Sequence, residues 1–215
     1  MTTKLAARPR LTSEERRASI VAAASKLFSE KGFNGTTTRD LAAAVGVTEP
    51  ILYEHFKTKR DLYSAIIENK AQEGLTVAQD LAEKYSTLND DAAFFYDLGV
   101  LIMDWYTKDP TFLRLLLYSN LEGHELKELF HERTKSSFEI VATYISRRMA
   151  QGAMHSGDPV LVARAYFGMI AHYAMTGVVF CFAPFPGPAD EVVREMTQIF
   201  LHGICRGNKN ENSSR

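Results

Sequence analysis

Residues 36–62 read TTTRDLAAAVGVTEPILYEHFKTKRDL, and the fold turns on this stretch. Thr37 and Asp40 open a short helix that carries Leu41 and Val45 and is closed by Gly46. Thr48 caps the next helix, where Pro50 is tolerated because it falls in the first turn. Neither helix is long enough to hold its shape alone in water, so Leu41, Val45, Leu52 and Phe56 must pin both to a neighbour. Upstream, Thr12 and Glu15 form a capping box before a helix with Ile20, Ala24, Leu27 and Phe28 on one face and Gly32 at its end. Downstream, Thr58 and Asp61 cap a fourth helix that turns Leu62, Ala65 and Ile66 inward. That arrangement leaves Thr48, Glu49, Pro50, Tyr53 and His55 facing outward. A short helix, a glycine turn and a polar-tipped helix form the unit that lays a recognition helix in the major groove.

The flanking residues suit phosphate. Thr37, Thr38 and Arg39 cluster at one helix N-terminus, and Lys57, Thr58 and Lys59 at another, where backbone N–H groups and the positive dipole end favour anions. Lys4, Arg8, Arg10, Arg16 and Arg17 form a leading basic segment suited to the DNA backbone or an adjacent minor groove. Phosphate contacts set affinity and salt dependence, while Glu49, Tyr53 and His55 are candidates for reading bases.

Charge is distributed accordingly. The whole chain carries a net charge of −1, but Met1 to Lys70 holds 12 Lys/Arg against 8 Asp/Glu, and the remainder 13 against 18. A basic front on an acidic body assigns contact with a polyanion to the first third. The two cysteines, Cys181 and Cys205, form no disulfide framework and suit a reducing cytoplasm.

Beyond residue 70 the helices lengthen. Asp90 begins one ending near Lys108, Asp109-Pro110 begins another, and a long helix runs from after Gly123 to about Gln151. Asp158-Pro159 begins an apolar helix, and the proline-rich loop 184–188 separates it from a last helix reaching about Arg206. Within this region Ala165 to Ala183 is long and apolar enough to raise the question of a membrane span. His172, Thr176 and the preceding Arg164 favour a helix buried by the body and by a partner subunit instead, with no membrane contact. Trp105, Tyr106, Tyr118, Met169, His172, Tyr173 and Thr176 supply an apolar wall with polar anchors, as a small-molecule cavity requires. His124, Glu128 and His131 share a helical face at i, i+4 and i+7, but a solvated polar face explains them and no metal site is expected.

The run from Ile20 to Ile66 resembles the N-terminal domain of TetR-type regulators, the tetracycline-repressor-like family. The resemblance rests on the segment from Ala23 to Phe33, the threonines 36–38, LAAAVGV at 41–47 and LYEHFKTKRDL at 52–62. It implies a homodimer, often a repressor, that leaves its operator when a small molecule fills a cavity in the C-terminal domain. It implies backbone contacts from Tyr53 and Lys59, and a dimer interface built by the last two helices. Glu49-Pro50 departs from the family pattern. A carboxylate there is unfavourable beside phosphate but can accept a hydrogen bond from cytosine N4.

The expected architecture is all-α, with about nine helices. An N-terminal arm and helix-turn-helix domain occupy residues 1–57, a larger helical ligand-binding and dimerisation domain residues 58–207, and a polar tail residues 208–215. The expected function is sequence-specific, ligand-responsive regulation of transcription from a palindromic operator, in the cytoplasm, with no cofactor. A helical enzyme is the competing class, yet no G-x-S-x-G, P-loop, dinucleotide fingerprint or paired-cysteine motif is present. An adaptor that has lost DNA binding is disfavoured by Arg39, Tyr53, Lys57 and Lys59.

Overall fold

The computed structural model of the 215-residue chain describes residues 12–121, 126–180, 182 and 187–204, without the side chains of 112, 126, 127 and 129–134. Among the described residues there are nine helices and no strand: α1 (Ser13–Lys31), α2 (Thr38–Val45), α3 (Glu49–His55), α4 (Lys59–Leu88), α5 (Asp91–Thr107), α6 (Pro110–Leu121), α7 (Leu126–Ala150), α8 (Pro159–Val178) and α9 (Ala189–Ile204). The capping pattern places most of these ends. Thr12 with Glu15 and Thr37 with Asp40 form reciprocal capping boxes, while Thr58 accepts from the Asp61 N–H and Asp158 from those of Val160 and Leu161.

Thr48 departs from expectation. It occupies the N-cap position of α3 with extended backbone, but its hydroxyl makes no capping hydrogen bond. Pro50 at the second helical position removes one of the two N–H groups that such a hydroxyl serves.

The head of the molecule packs α1, α2, α3 and the start of α4 around Ile20, Ala24, Phe28, Leu41, Leu52, Phe56 and Leu62. Phe28 and Phe33 each meet the Tyr63 ring edge-on, with centroids 5.1 and 5.4 Å apart. Leu115 of α6 is buried in the same cluster, and the Tyr63 hydroxyl donates to its carbonyl at 3.1 Å. The head is therefore bolted to the body through α4 and α6. At 30 residues, α4 runs roughly 45 Å and is a continuous strut from the head into the body.

The body forms a second core in which Phe94, Phe95, Ile102, Met103, Ile145, Tyr166, Ile170 and Val193 are wholly or nearly wholly buried. Phe94 stacks on Tyr144 at 3.7 Å, and Asp91 at the start of α5 pairs with Arg148 of α7 at 2.7 Å. Both members of that pair are only 12% exposed, and the Tyr144 hydroxyl donates to the same carboxylate. Helix α8 buries Ala163, Tyr166, Ile170, Ala171 and Ala174 within the body. No helix among the described residues is long and apolar enough to cross a membrane.

Candidate nucleic-acid interface and interior cavity

The two short helices meet through Gly46, whose φ of 75° and ψ of 32° place it in the left-handed region. Its N–H reaches the carbonyls of Ala42 and Ala43, and only glycine takes this conformation without a Cβ penalty. The turn sets α3 across α2 and leaves Thr48, Pro50, Tyr53 and Lys57 exposed, with Glu49 and His55 half-buried. Tyr53 is 44% exposed, an outward position for a large aromatic with a polar tip. Arg39 and Thr37 are exposed at the start of α2.

Several candidate residues are engaged within the head. The Thr38 hydroxyl donates to Glu49 Oε2 at 3.0 Å, tying the start of α2 to the start of α3. Thr37 accepts from the Asp40 N–H at 3.1 Å and donates its own N–H to the Asp40 carboxylate at 3.2 Å, which holds Asp40 below the usual carboxylate range. Lys59, expected to point at phosphate, turns inward: its Nζ donates to the carbonyls of Phe33 and Thr36 at 2.8 and 2.9 Å and lies 4.1 Å from the Phe33 ring centroid. Arg17 stays exposed but is engaged as well, donating to the His55 carbonyl at 3.0 Å and stacking over Phe56 at 4.1 Å. Sequence spacing gives the position of a cation, but which acceptors it finds depends on the loop folded over it. Lys4, Arg8 and Arg10 lie outside the described residues.

An apolar cavity of about 140 Å³ lies in the body between α4, α5, α6, α7 and α8. Of the seven expected ligand contacts, Trp105 and Tyr106 line it. Burial pushes the Tyr106 phenol up to about 12, so it is neutral in the wall. Met169, His172, Tyr173 and Thr176 lie outside the lining; His172 is exposed, and the Thr176 hydroxyl donates to the Tyr173 carbonyl at 2.7 Å. Tyr118 is also elsewhere, its hydroxyl 3.4 Å from the Glu30 carbonyl where α6 crosses α1. Helix α8 turns Ala163 and Phe167 to the cavity, so its more polar residues face away. Sequence reading missed Gly74, Ala78, Phe138 and Val141 in the wall. These are plain apolar or small residues, and nothing local separates a cavity wall from ordinary core. The set His124, Glu128 and His131 falls largely outside the described residues; among those described, no group of three metal-ligating side chains converges.

Residues 20–66 match the profile of bacterial regulatory proteins of the tetR family, and residues 110–203 that of the C-terminal domain of AefR-like transcriptional repressors. The chain is 37% identical over 59 residues to the HTH-type transcriptional activator FasR of Mycolicibacterium smegmatis, a match spanning 27% of this chain and 27% of that protein. It is 28% identical over 142 residues to the nucleoid occlusion factor SlmA of Marinobacter nauticus, covering 66% of this chain and 70% of that one. The solved structure of FadR from Bacillus subtilis, in complex with stearoyl-CoA, superimposes with a TM-score of 0.74 at 17% identity over 86% of this chain and 98% of that one. With both its head and most of its body matched, the chain belongs to the TetR family of bacterial regulatory proteins.

Proposed function

We propose that the protein is a dimeric, ligand-responsive regulator that reads an inverted-repeat DNA operator through α3, acts as a repressor, and is released by a small molecule held in the body. The reading is carried by the outward face of α3. Tyr53 stands exposed at its centre and Arg39 and Lys57 flank it, on a head whose own core is closed. Thr37, Thr38, Arg39, Tyr53 and Lys57 take phosphates, whereas Glu49, Pro50 and His55 face the bases.

Dimerisation through α8 and α9 is supported by their outer faces. Leu161 is 65% exposed and Ile199 68%, too apolar to be left in water when Ala165, Gly168 and Gly203 nearby permit close approach of a second copy. The two-fold pairing then sets the separation of two α3 helices, which must match major grooves roughly 34–36 Å apart on one duplex face. The effector acts by favouring a dimer in which that spacing is lost, with α4 and α6 as the elements that connect cavity and head. A protein that reads chromosomal DNA in this way works in the cytoplasm.

Binding-site selection from fragmented genomic DNA at fixed, near-physiological salt tests the reading. Recovery of an inverted repeat is the expected result. Failure of folded dimer to enrich any sequence overturns it.

A further inference from the structure

Trp105 is both the wall of the interior cavity and the wall of a cleft outside it. The outer cleft, about 190 Å³, is lined by Lys70, Glu73, Asp104, Trp105, Lys108 and Asp109; only Trp105 and Lys70 belong to both spaces. The indole lies on Gly74 so closely that a Cβ at that position would collide with Cη2 and Cζ2 of the ring. Glycine is what lets the aromatic plate seat flush against α4. The indole therefore stands as a door between solvent and an otherwise apolar interior.

Lys70 is the sole charged residue in the cavity lining, and it reaches three spaces at once: the interior, the outer cleft, and a groove of about 570 Å³ between α1, α4 and α6. Its ammonium sits 3.2 Å from Glu73 and 3.4 Å from Asp109. Burial pulls its pKa down, but the two carboxylates outweigh that and hold it above the ordinary lysine value, so the cation is fully charged. Asp109 does not depend on Lys70. Its other oxygen accepts from the Thr111 N–H at 3.1 Å, at the start of α6.

We propose that the effector is a compact apolar carboxylate that enters past Trp105, buries its hydrocarbon in the cavity and takes Lys70 from Asp109. This rests on the reading of the protein as an effector-released DNA binder and names the ligand class and the switch. The apolar wall selects the hydrocarbon and the single cation at its rim selects the charge. The cavity holds about one benzene-sized body, and outward swing of the indole would enlarge it for longer chains. Because Asp109 begins α6 and Leu115 of α6 is buried in the head, loss of the Lys70–Asp109 tie frees α6 from α4 at the point where the two grip the head.

The chain holds one tryptophan, so its emission reports directly on the door. Full-length dimer is titrated with hexanoate, octanoate and benzoate, and with 1-octanol as the uncharged control, while binding of the selected operator is followed in parallel. At least one carboxylate is expected to change the emission saturably, with octanoate bound roughly tenfold more tightly than octanol, and to release DNA. Lys70→Met is expected to abolish the preference for octanoate and, because it removes the tie to Asp109 itself, to weaken operator binding with or without octanoate. Trp105→Ala, followed by calorimetry, is expected to keep the preference and accelerate association, a readout that does not require the door itself. Equal affinity for octanoate and octanol, an unchanged preference in Lys70→Met, or no response to any of the three carboxylates overturns the inference. If the operator is still bound in those cases, only the ligand class and switch fall; if wild-type dimer binds no operator, the reading as a DNA-binding regulator falls instead.

Discussion

Lys59 of α4 reaches back over the head and caps the carbonyl of Phe33 at 2.8 Å while its ammonium rests 4.1 Å from the Phe33 ring. One cation thereby closes the segment between α1 and α2, fixing where α2 begins and so how α3 is presented. Two charge-assisted bonds and a cation–π contact make it a positioning residue of the head. Lys59→Met should lower unfolding stability by about 2 kcal/mol in chemical denaturation. An unchanged midpoint would return Lys59 to the role of a phosphate contact alone.

Tyr53 and Lys57 are exposed and carry no such load. Tyr53→Phe should leave the melting temperature unchanged and weaken operator binding by about 1 kcal/mol, through one lost phosphate hydrogen bond. Lys57→Ala should weaken binding to all sequences alike and lower the log–log salt slope by about 1. Filter binding over a salt series separates the two, and a sequence-dependent effect of Lys57→Ala would show that it reads bases.

Thr38 holds Glu49 at 3.0 Å, and Glu49 begins α3, the helix proposed to read the bases. Glu49→Ala should relax preference at one operator position by about 1–3 kcal/mol, with cytosine the base released. Thr38→Val leaves the carboxylate in place but unheld, and should broaden preference at that same position only. Selection sequencing with both variants checks this. Broadening at different positions would disconnect the pair.

Asp97 accepts from Lys84 at 2.8 Å and from the Tyr85 hydroxyl at 2.7 Å. Burial raises its pKa, yet these two donors prevail and hold it below the ordinary carboxylate value. A depressed folded pKa contributes stability that is present above the unfolded value of about 3.9 and is lost as pH falls through the folded one. Stability relative to Asp97→Asn should therefore shrink as pH drops from about 5 towards 3, by a small amount because the ion pair is open to solvent. A constant difference across that range would exclude the effect.

Leu161 and Ile199 lie exposed on α8 and α9. Ile199→Asp should convert the proposed dimer to monomer in sedimentation velocity with little change in helical content, because burying a carboxylate at the seam is costly whereas exposing it is not. Operator binding should fall with it, since one head grips one half-site. A dimer that survives both Ile199→Asp and Leu161→Asp would place the interface elsewhere.

The sequence by itself determined the elements and the class. Helix starts at Thr12, Thr37, Thr58 and Asp158 and the turn at Gly46 are local chemistry, because a cap or a left-handed turn depends on residues within about four positions. The same locality made the outward set Thr48, Pro50 and Tyr53 legible, since a seven-residue helix anchored by Leu52 has one remaining face. Tertiary structure alone decided the rest. Lys59 and Arg17 read as phosphate-seeking cations, and only the fold brings distant carbonyls within their reach. His172 read as a polar anchor until α8 was rotated to turn Phe167, not His172, towards the cavity. A cavity is space left between several helices, here five, and its wall is set by how they cross. No periodicity along one helix reports where its neighbours stop short, which is why Gly74 showed its purpose only with Trp105 lying against it.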